Sequence, residues 1–397
     1  MGRSTSMDDH TLVIDIGAHS IKVGFAGKLV PVAVVPCVMA EYRNNHWKIY
    51  KDVERKMLIA DEALETGKKQ KLGYHYPVDA EGKIKDWKLL EALLGEALQR
   101  LQIGDPINYK LLITKPNKMK QSDLKMLLDI FYFKFGFGAV TMHGQAALAL
   151  YMQNAVTGVV VEMGDAMTHI TPVYKGHAIP KADKTLAVGG RDITNQLLKL
   201  LRLKGHPMND REDSELGRQI KEQLCYISTD LNMDEQLASE TTALMEFFKL
   251  VDGTTVSLSR ERFEATEVLF KPELLSIESK GISDIIFDVI QNVDIDCRPD
   301  LYCNIILSGG TSLLHGLPER INKELNERYT RDVLQGDESR SMGWKPQVHA
   351  PKSRKHLVFE GATVFASLIS SDTSFWVTSQ EYSQGGIHCV LEKCNIH

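Results

Sequence analysis

Residues Leu12 to Gly27 read LVIDIGAHSIKVGFAG. The apolar run Leu12-Val13-Ile14 ends in Asp15-Ile16-Gly17, and a second β-rich run, Ile21 to Phe25, follows after only a few residues. That spacing predicts two short strands joined by a tight turn. A carboxylate at a strand end, a glycine in the turn and Lys22 on the returning strand suit a phosphate site. Turn amides face the anion, the lysine neutralises it, and the carboxylate holds a hydrated Mg²⁺. A hairpin with a purely structural glycine accounts for the same residues equally well.

The pattern recurs at Gly158 to Gly176, GVVVEMGDAMTHITPVYKG, as an apolar strand, Glu162, Gly164 and a returning strand that ends at a turn glycine. Two such hairpins in two halves of one chain point to an internal duplication, with the loops facing each other across a cleft. A nucleotide pinned between two lobes is what that arrangement serves.

The chain's 397 residues exceed what one compact core organises and favour two or more lobes. A net charge of −5 leaves no basic footprint, so nucleic acid is not an expected partner. Its six cysteines lack CxxC spacing and read as reduced thiols of a cytosolic protein; Cys389 and Cys394 do not make a metal pair. The longest apolar stretch, Leu29 to Ala40, is too short to span a membrane and contains Pro31 and Pro36. Met1 to Ser6 fits an N-myristoylation pattern, but a polar tail is the favoured reading.

Glu41 to Lys71 is strongly charged and reads as a small exposed insert with strand candidates at Trp47 to Tyr50 and Met57 to Ala60. Trp87 opens an amphipathic helix with Leu89, Leu90, Leu93, Leu94, Leu98 and Leu101 on one face. Tyr109 to Thr114 reads as a buried strand, followed by a helix capped by Ser122 that runs through Phe133. A helix over Gly144 to Asn154 connects the halves; Gln145 near its start either faces the cleft or pairs with backbone. Thr185 to Leu203 reads as a glycine turn and a helix whose first amides suit an anion or a ribose hydroxyl. Arg211 to Tyr226 is another helix, on which Lys221 and Glu222 read as a solvated charged pair unless a ligand lies nearby. The strand Tyr302 to Leu307 enters Ser308-Gly309-Gly310-Thr311, a turn that either admits a flat base or simply joins strand to the helix Pro318 to Tyr329. A charged loop (Gln335 to Lys352), a strand at Leu357 to Phe359, a helix from Gly361 to Ile369 and Trp376 to Tyr382 complete the chain.

In this order, these features resemble the actin family over nearly the whole chain. The strings that carry the likeness are GGRDIT (Gly189 to Thr194), IKEQLCY (Ile220 to Tyr226), ETT (Glu240 to Thr242), ERFEATEVLFKPELL (Glu261 to Leu275), LSGGTSLLHGLPERI (Leu307 to Ile321), RKHLVFEGA (Arg354 to Ala362) and QEY (Gln380 to Tyr382). The resemblance implies an α/β, two-lobed ATPase fold of the actin, sugar-kinase and heat-shock-chaperone type around a nucleotide cleft. It assigns 1–40, 78–152 and 357–397 to an outer lobe core and 41–77 to its small insert. It assigns 153–188 and 279–356 to an inner lobe core and 189–278 to its insert. The implied ligand is ATP or ADP with Mg. Asp15, Gly17 and Lys22 match the first phosphate hairpin, and Glu162, Gly164 and Asp165 match the second. Asp15 and Glu162 would reach the metal through its bound water. Gln145 matches the residue that orients the attacking water. Gly190, Arg218, Lys221, Glu222, Gly309, Gly310 and Lys355 match positions around ribose and adenine, and Tyr151, Phe365 and Leu368 a partner-binding groove between the lobes.

The departures fall at the chemistry. Ala18 and His19 stand where the family has a small hydroxyl residue and a glycine, and Glu162-Met163-Gly164-Asp165-Ala166 replaces aspartate-serine-glycine-aspartate-glycine. Glu162, one methylene longer, displaces whatever it orders, and a misplacement of about 1 Å costs on the order of 10²-fold in rate. His19 is either an obstacle to close backbone approach or a residue that tolerates a left-handed turn. The resemblance therefore implies a nucleotide-binding cytoskeletal subunit with weak or no hydrolysis, mimicking actin beside actin or another actin-related subunit in a multiprotein complex of the cytoplasm. An alternative is a specialised paralogue among the proteins of a ciliary or flagellar axoneme. A sugar-kinase-like enzyme is disfavoured because no segment supplies a catalytic base and a sugar pocket. Self-polymerisation is not expected from the charged insert.

Overall fold

Each half of the molecule is laid out by one of the two hairpins. The computed structural model describes residues 10–41, 58–70, 72–250, 253–337, 339 and 345–394. Met1 to Ser6, the strand candidate Trp47 to Tyr50, and Met57 lie outside these described residues.

Strands β1 (Thr11–Ile16) and β2 (Ser20–Phe25) pair antiparallel, with Asp15 opposite Lys22. β3 (Ala33–Pro36) lies against β2 at the sheet edge. On the other side, β4 (Lys110–Lys115) runs parallel to β1, and β5 (Ala139–Gly144) runs parallel to β4. Val377–Thr378 completes this six-stranded sheet next to β5. The second half repeats the scheme. β6 (Gly158–Met163) and β7 (Thr168–Tyr174) form the hairpin, and β8 (Ile305–Ser308) runs parallel to β6 as β4 does to β1. Asp15 and Glu162 are each the fifth residue of a six-residue strand, so the duplication sets both carboxylates at equivalent strand ends.

The interior of β1 and β6 (Leu12, Val13, Ile14; Val159, Val160, Val161) is wholly buried, the continuous apolar run of strands covered on both faces. Helix α1 (Trp87–Leu101) buries the predicted leucine stripe, and its first turn is capped by the Asp86 side chain, which accepts from the Leu89 amide. α2 (Gln145–Tyr151) is buried on all sides. Its Leu148 packs with Val13, Leu112 and Phe359 of one half, while Ala146, Ala149 and Leu150 pack with Val160, Val173 and Ile306 of the other. α3 (Gly190–Leu203) and α4 (Ser214–Leu224) belong to the second half and pack on each other. α5 (Leu357–Ile369) crosses α2, closing the hinge between the halves.

Several expectations are corrected. Leu357 to Phe359 is the first turn of α5 and not a strand; the run is apolar on every side because it packs against β1 and α2 together. Ala60 begins a helix, Ala60–Gln70, leaving only Leu58–Ile59 as strand; acidic residues at its start and lysines at its end suit the helix dipole. Ser122 does not cap the helix after β4. That helix starts at Gln121 after Lys120, Ser122 donates to Asp123, and the α turns stop at Asp129 before a wider π-helical turn over Ile130–Lys134. The loop from Gln335 contains a short strand, Val348–His349, added to β8.

The α2–α5 crossing is tight enough to test. A Cβ built on Gly361 would lie 2.0 Å from the Leu148 carbonyl oxygen, which is backbone and cannot swing aside. Gly361→Ala is expected to lower stability by about 1–3 kcal/mol through overpacking. Thermal unfolding measures this, and an unchanged midpoint would contradict the close crossing.

Candidate functional site

The first hairpin, β4 and α2 converge on one buried carboxylate. Asp15 is 3% exposed, and its Oδ2 accepts from Lys22 Nζ at 2.6 Å. Its Oδ1 accepts from Thr114 Oγ1 at 2.6 Å and from Gln145 Nε2 at 3.3 Å. Burial alone would raise this carboxyl, but the charge and hydrogen bond of Lys22, helped by Thr114 and Gln145, hold it below the usual carboxylate range. Gln145 Nε2 also reaches Thr114 Oγ1 at 3.4 Å, so its amide is fixed at the cleft end of α2. The turn is compact. The Gly17 amide donates to the Ser20 carbonyl at 3.1 Å, and the Cys37 thiol donates to the Gly17 carbonyl at 3.3 Å.

Glu162 faces this group with no side-chain hydrogen bond or ion pair among the described residues. Enclosure by the protein, and then the nearby charge of Asp15, push its carboxyl up to about 8. One carboxylate is thus neutralised by the protein and its counterpart is not, which is the charge pattern a divalent cation relieves. Among the described residues no cluster of three His, Cys, Asp or Glu side chains could cage a metal. Asp15 and Glu162 are the residues of this set that could contact a hydrated ion.

The second loop is knitted to the start of α3. The Gly164 carbonyl accepts from the Gly190 amide at 3.0 Å and from Thr311 Oγ1 at 2.8 Å. Asp165 Oδ2 accepts from Arg191 Nε at 3.0 Å and Nη2 at 2.7 Å. Burial works against its ionisation, yet Arg191, His19 and Lys221 hold its carboxyl below the usual range. Lys221 is not on a solvated face: it is 6% exposed and donates to the Gly190 carbonyl at 2.6 Å, and burial lowers its ammonium. Glu222 is exposed and binds Arg218 Nη1 at 2.7 Å; the rest of the Arg218 fork goes to Glu215. Gly309 sits at φ +90, and a Cβ there would meet the Met163 carbonyl oxygen at 2.3 Å, so only glycine lets this turn close on β6. Beside it, Gly310 has nothing within 4 Å of the position a Cβ would take, an open cradle.

Lys355 is the outlier of the predicted set. It is exposed and makes no hydrogen bond with the others, though its charge and that of Lys22 both bear on His356. His19 is not left-handed, which overturns that reading of the turn: it is absent from the described non-glycine residues with positive φ. Its ring makes no hydrogen bond among the described residues, and burial lowers its imidazole. The charges bearing most on it, Asp165, Arg218, Glu215 and Glu222, all belong to the other half. Sequence reasoning missed Thr114 and Arg191. Thr114 was signalled by a polar residue ending an apolar strand parallel to β1, and Arg191 by its place after Gly190 in the quoted GGRDIT string.

Of the residues expected to line a groove between the lobes, Tyr151 and Phe365 lie together. Tyr151 and Phe365 lie with ring centroids 5.9 Å apart, and His143, also missed, packs 4.4 Å from Phe365. Burial pushes the His143 imidazole down to about 4, so it serves as a neutral aromatic there. Leu368 is 75% exposed at the end of α5.

A duplicated α/β fold with two strand-end carboxylates facing each other across a hinged cleft defines a class of nucleotide-cleft proteins. Consistent with it, the profile of the actin family matches residues 6–395, and the chain belongs to the actin family. It is 38% identical to actin-related protein 2 of Saccharomyces cerevisiae over 388 residues, 96% of this chain and 97% of that protein. It is likewise 38% identical to actin-related protein 2 of Caenorhabditis briggsae, covering 97% of this chain and 98% of that one. Actin-related protein 2 of Acanthamoeba castellanii is 37% identical over 385 residues, 96% of this chain and 98% of that protein.

The unpartnered Glu162 has a consequence for stability. The folded chain keeps this proton up to about pH 8, whereas an exposed glutamate releases it near 4.5. Stability of the nucleotide-free protein therefore falls as pH rises between those values. Glu162→Gln, which mimics the protonated form, is expected to flatten that fall in chemical denaturation. Identical pH slopes in the two proteins would contradict the assignment.

Proposed function

We propose that this chain binds ATP or ADP with Mg between its halves and acts as a structural, actin-mimicking subunit of a multiprotein cytoskeletal assembly. The observation that carries the reading is the pair Asp15–Glu162, of which only Asp15 is neutralised by protein groups. In this reading Asp15 and Glu162 hold the hydrated metal, which when bound neutralises phosphate charge. Lys22 and the amides of the two turns take the phosphates. Gly310 leaves room for the base while Gly309 holds the turn against β6, and α4 with the first turn of α3 flanks the ribose.

Hydrolysis is weak for reasons of position. Gln145 is already engaged by Asp15 and Thr114, Ala18 offers no hydroxyl, and His19 occupies the first turn. Nucleotide then acts as a ligand that holds the halves together, shifting a conformational population, and not as a fuel. The relatives named actin-related protein 2 support the family role, and we infer that partners are actin or an actin-related protein 3-like subunit together with further complex subunits. The groove around Tyr151, Phe365 and Leu368 is the proposed contact surface, and the cytoskeleton of the cytoplasm the proposed place.

Two measurements test this. Mg-ATP should raise the unfolding temperature, with about 2.7 kcal/mol gained at a ligand concentration of 100 times Kd. Turnover of ATP should lie about 10²-fold or more below that of actin measured alongside. The double change Ala18→Ser with His19→Gly should raise turnover while binding persists. No thermal shift would end the nucleotide reading, and actin-like turnover of the unaltered chain would end the claim of weak hydrolysis.

A further inference from the structure

One polar side chain of the cleft has no part in the metal and phosphate contacts above: the imidazole of His19, in the turn that joins β1 to β2. Its backbone is pinned just past the end of β3, where the Cys37 amide donates to the His19 carbonyl at 2.8 Å. Its ring answers to the opposite half. The charges that bear most on it are Asp165 of the second loop, then Arg218, Glu215 and Glu222 of α4. None of these is Asp15, Lys22 or Glu162, so the ring is turned toward the α4 side of the cleft and away from the metal end. The effect is mutual, since His19 helps to hold the Asp165 carboxyl low. The carboxylates around the ring are already engaged, Asp165 by Arg191, and Glu215 and Glu222 by Arg218. His19 is half-buried, and neither ring nitrogen is among the sealed, unpartnered atoms of the described residues, so a group in the cleft can reach the ring. Burial lowers the imidazole, which leaves a neutral ring with one N–H to give. Enclosed polar side chains are almost always paired, and an accessible donor left unpaired in a cleft wall marks where a ligand acceptor belongs.

We propose that the His19 imidazole donates a hydrogen bond to the phosphate group that adjoins the ribose of the bound nucleotide. The contact presupposes that a nucleotide binds between the halves, and it adds a side-chain ligand at the sugar end of the phosphate chain. Position selects that phosphate: the metal end lies at Asp15 and Glu162, and α4, which the ring faces, flanks the ribose. Chemistry selects a phosphate over a sugar hydroxyl. A hydroxyl can donate to the carboxylates of α4, whereas a phosphate oxygen only accepts and takes a charge-assisted bond from the ring.

The test uses the full chain, its single variants His19→Ala and His19→Gln, and Mg-ADP. Calorimetry should show ADP bound about tenfold or more weaker by His19→Ala, at an unfolding midpoint that matches the parent without ligand. His19→Gln, which keeps a side-chain N–H, should lie between the two. Phosphorus NMR of bound ADP should show the α resonance displaced in His19→Ala while the β resonance stays in place. Weaker binding with both resonances unmoved would shift the contact to the sugar, and displacement of the β resonance alone would shift it to the metal end; either overturns the proposal. Equal or tighter binding by His19→Ala overturns it too, and makes the ring an obstacle. In those outcomes ADP binding by the parent leaves the nucleotide reading standing, whereas no ADP binding by the parent ends both.

Discussion

The structure depends on holding two carboxylates at facing strand ends while giving protein counter-charge to only one of them. Asp15 keeps its charge because Lys22 lies directly across the hairpin and Thr114 and Gln145 supply further donors. Glu162 has no such company and rests opposite that charge. Burial, and then the charge of Asp15, therefore keep its proton on up to about pH 8. Both loops are tight, and the second is tied by backbone and side-chain bonds to Gly190 and Arg191 at the start of α3 and to Thr311.

The halves also touch at the cleft mouth. Arg191, besides gripping Asp165, donates through Nη1 to the Val78 carbonyl at 2.9 Å and stacks its guanidinium 4.2 Å from the Tyr76 ring. Lys118 donates to the Asp183 carbonyl at 2.9 Å. One arginine therefore links the second loop to Tyr76 and Val78 of the other half.

The hairpins were legible because strand, carboxylate, glycine and returning strand lie within a few residues, and their repetition made the cleft legible too. The leucine face of α1 was equally plain from its spacing. What sequence reasoning could not see was set by long-range packing. Leu357 to Phe359 has a strand's composition but becomes helical because α5 must cross α2. Lys221 carries a surface residue's label yet is drawn inward by the Gly190 carbonyl, a partner distant in the chain. Thr114 and Arg191 act only through registers and loops that tertiary structure brings together. His19 was read as a turn residue, whereas the charges it faces lie across the cleft.

Amide hydrogen exchange on the full chain, with and without Mg-ATP, decides whether one ligand spans both halves. A single nucleotide held by all three turns would slow exchange at Gly17 to Ser20, at Gly164 to Asp165 and at Gly309 to Gly310 together. Protection confined to one half, or to none of these turns, would contradict it.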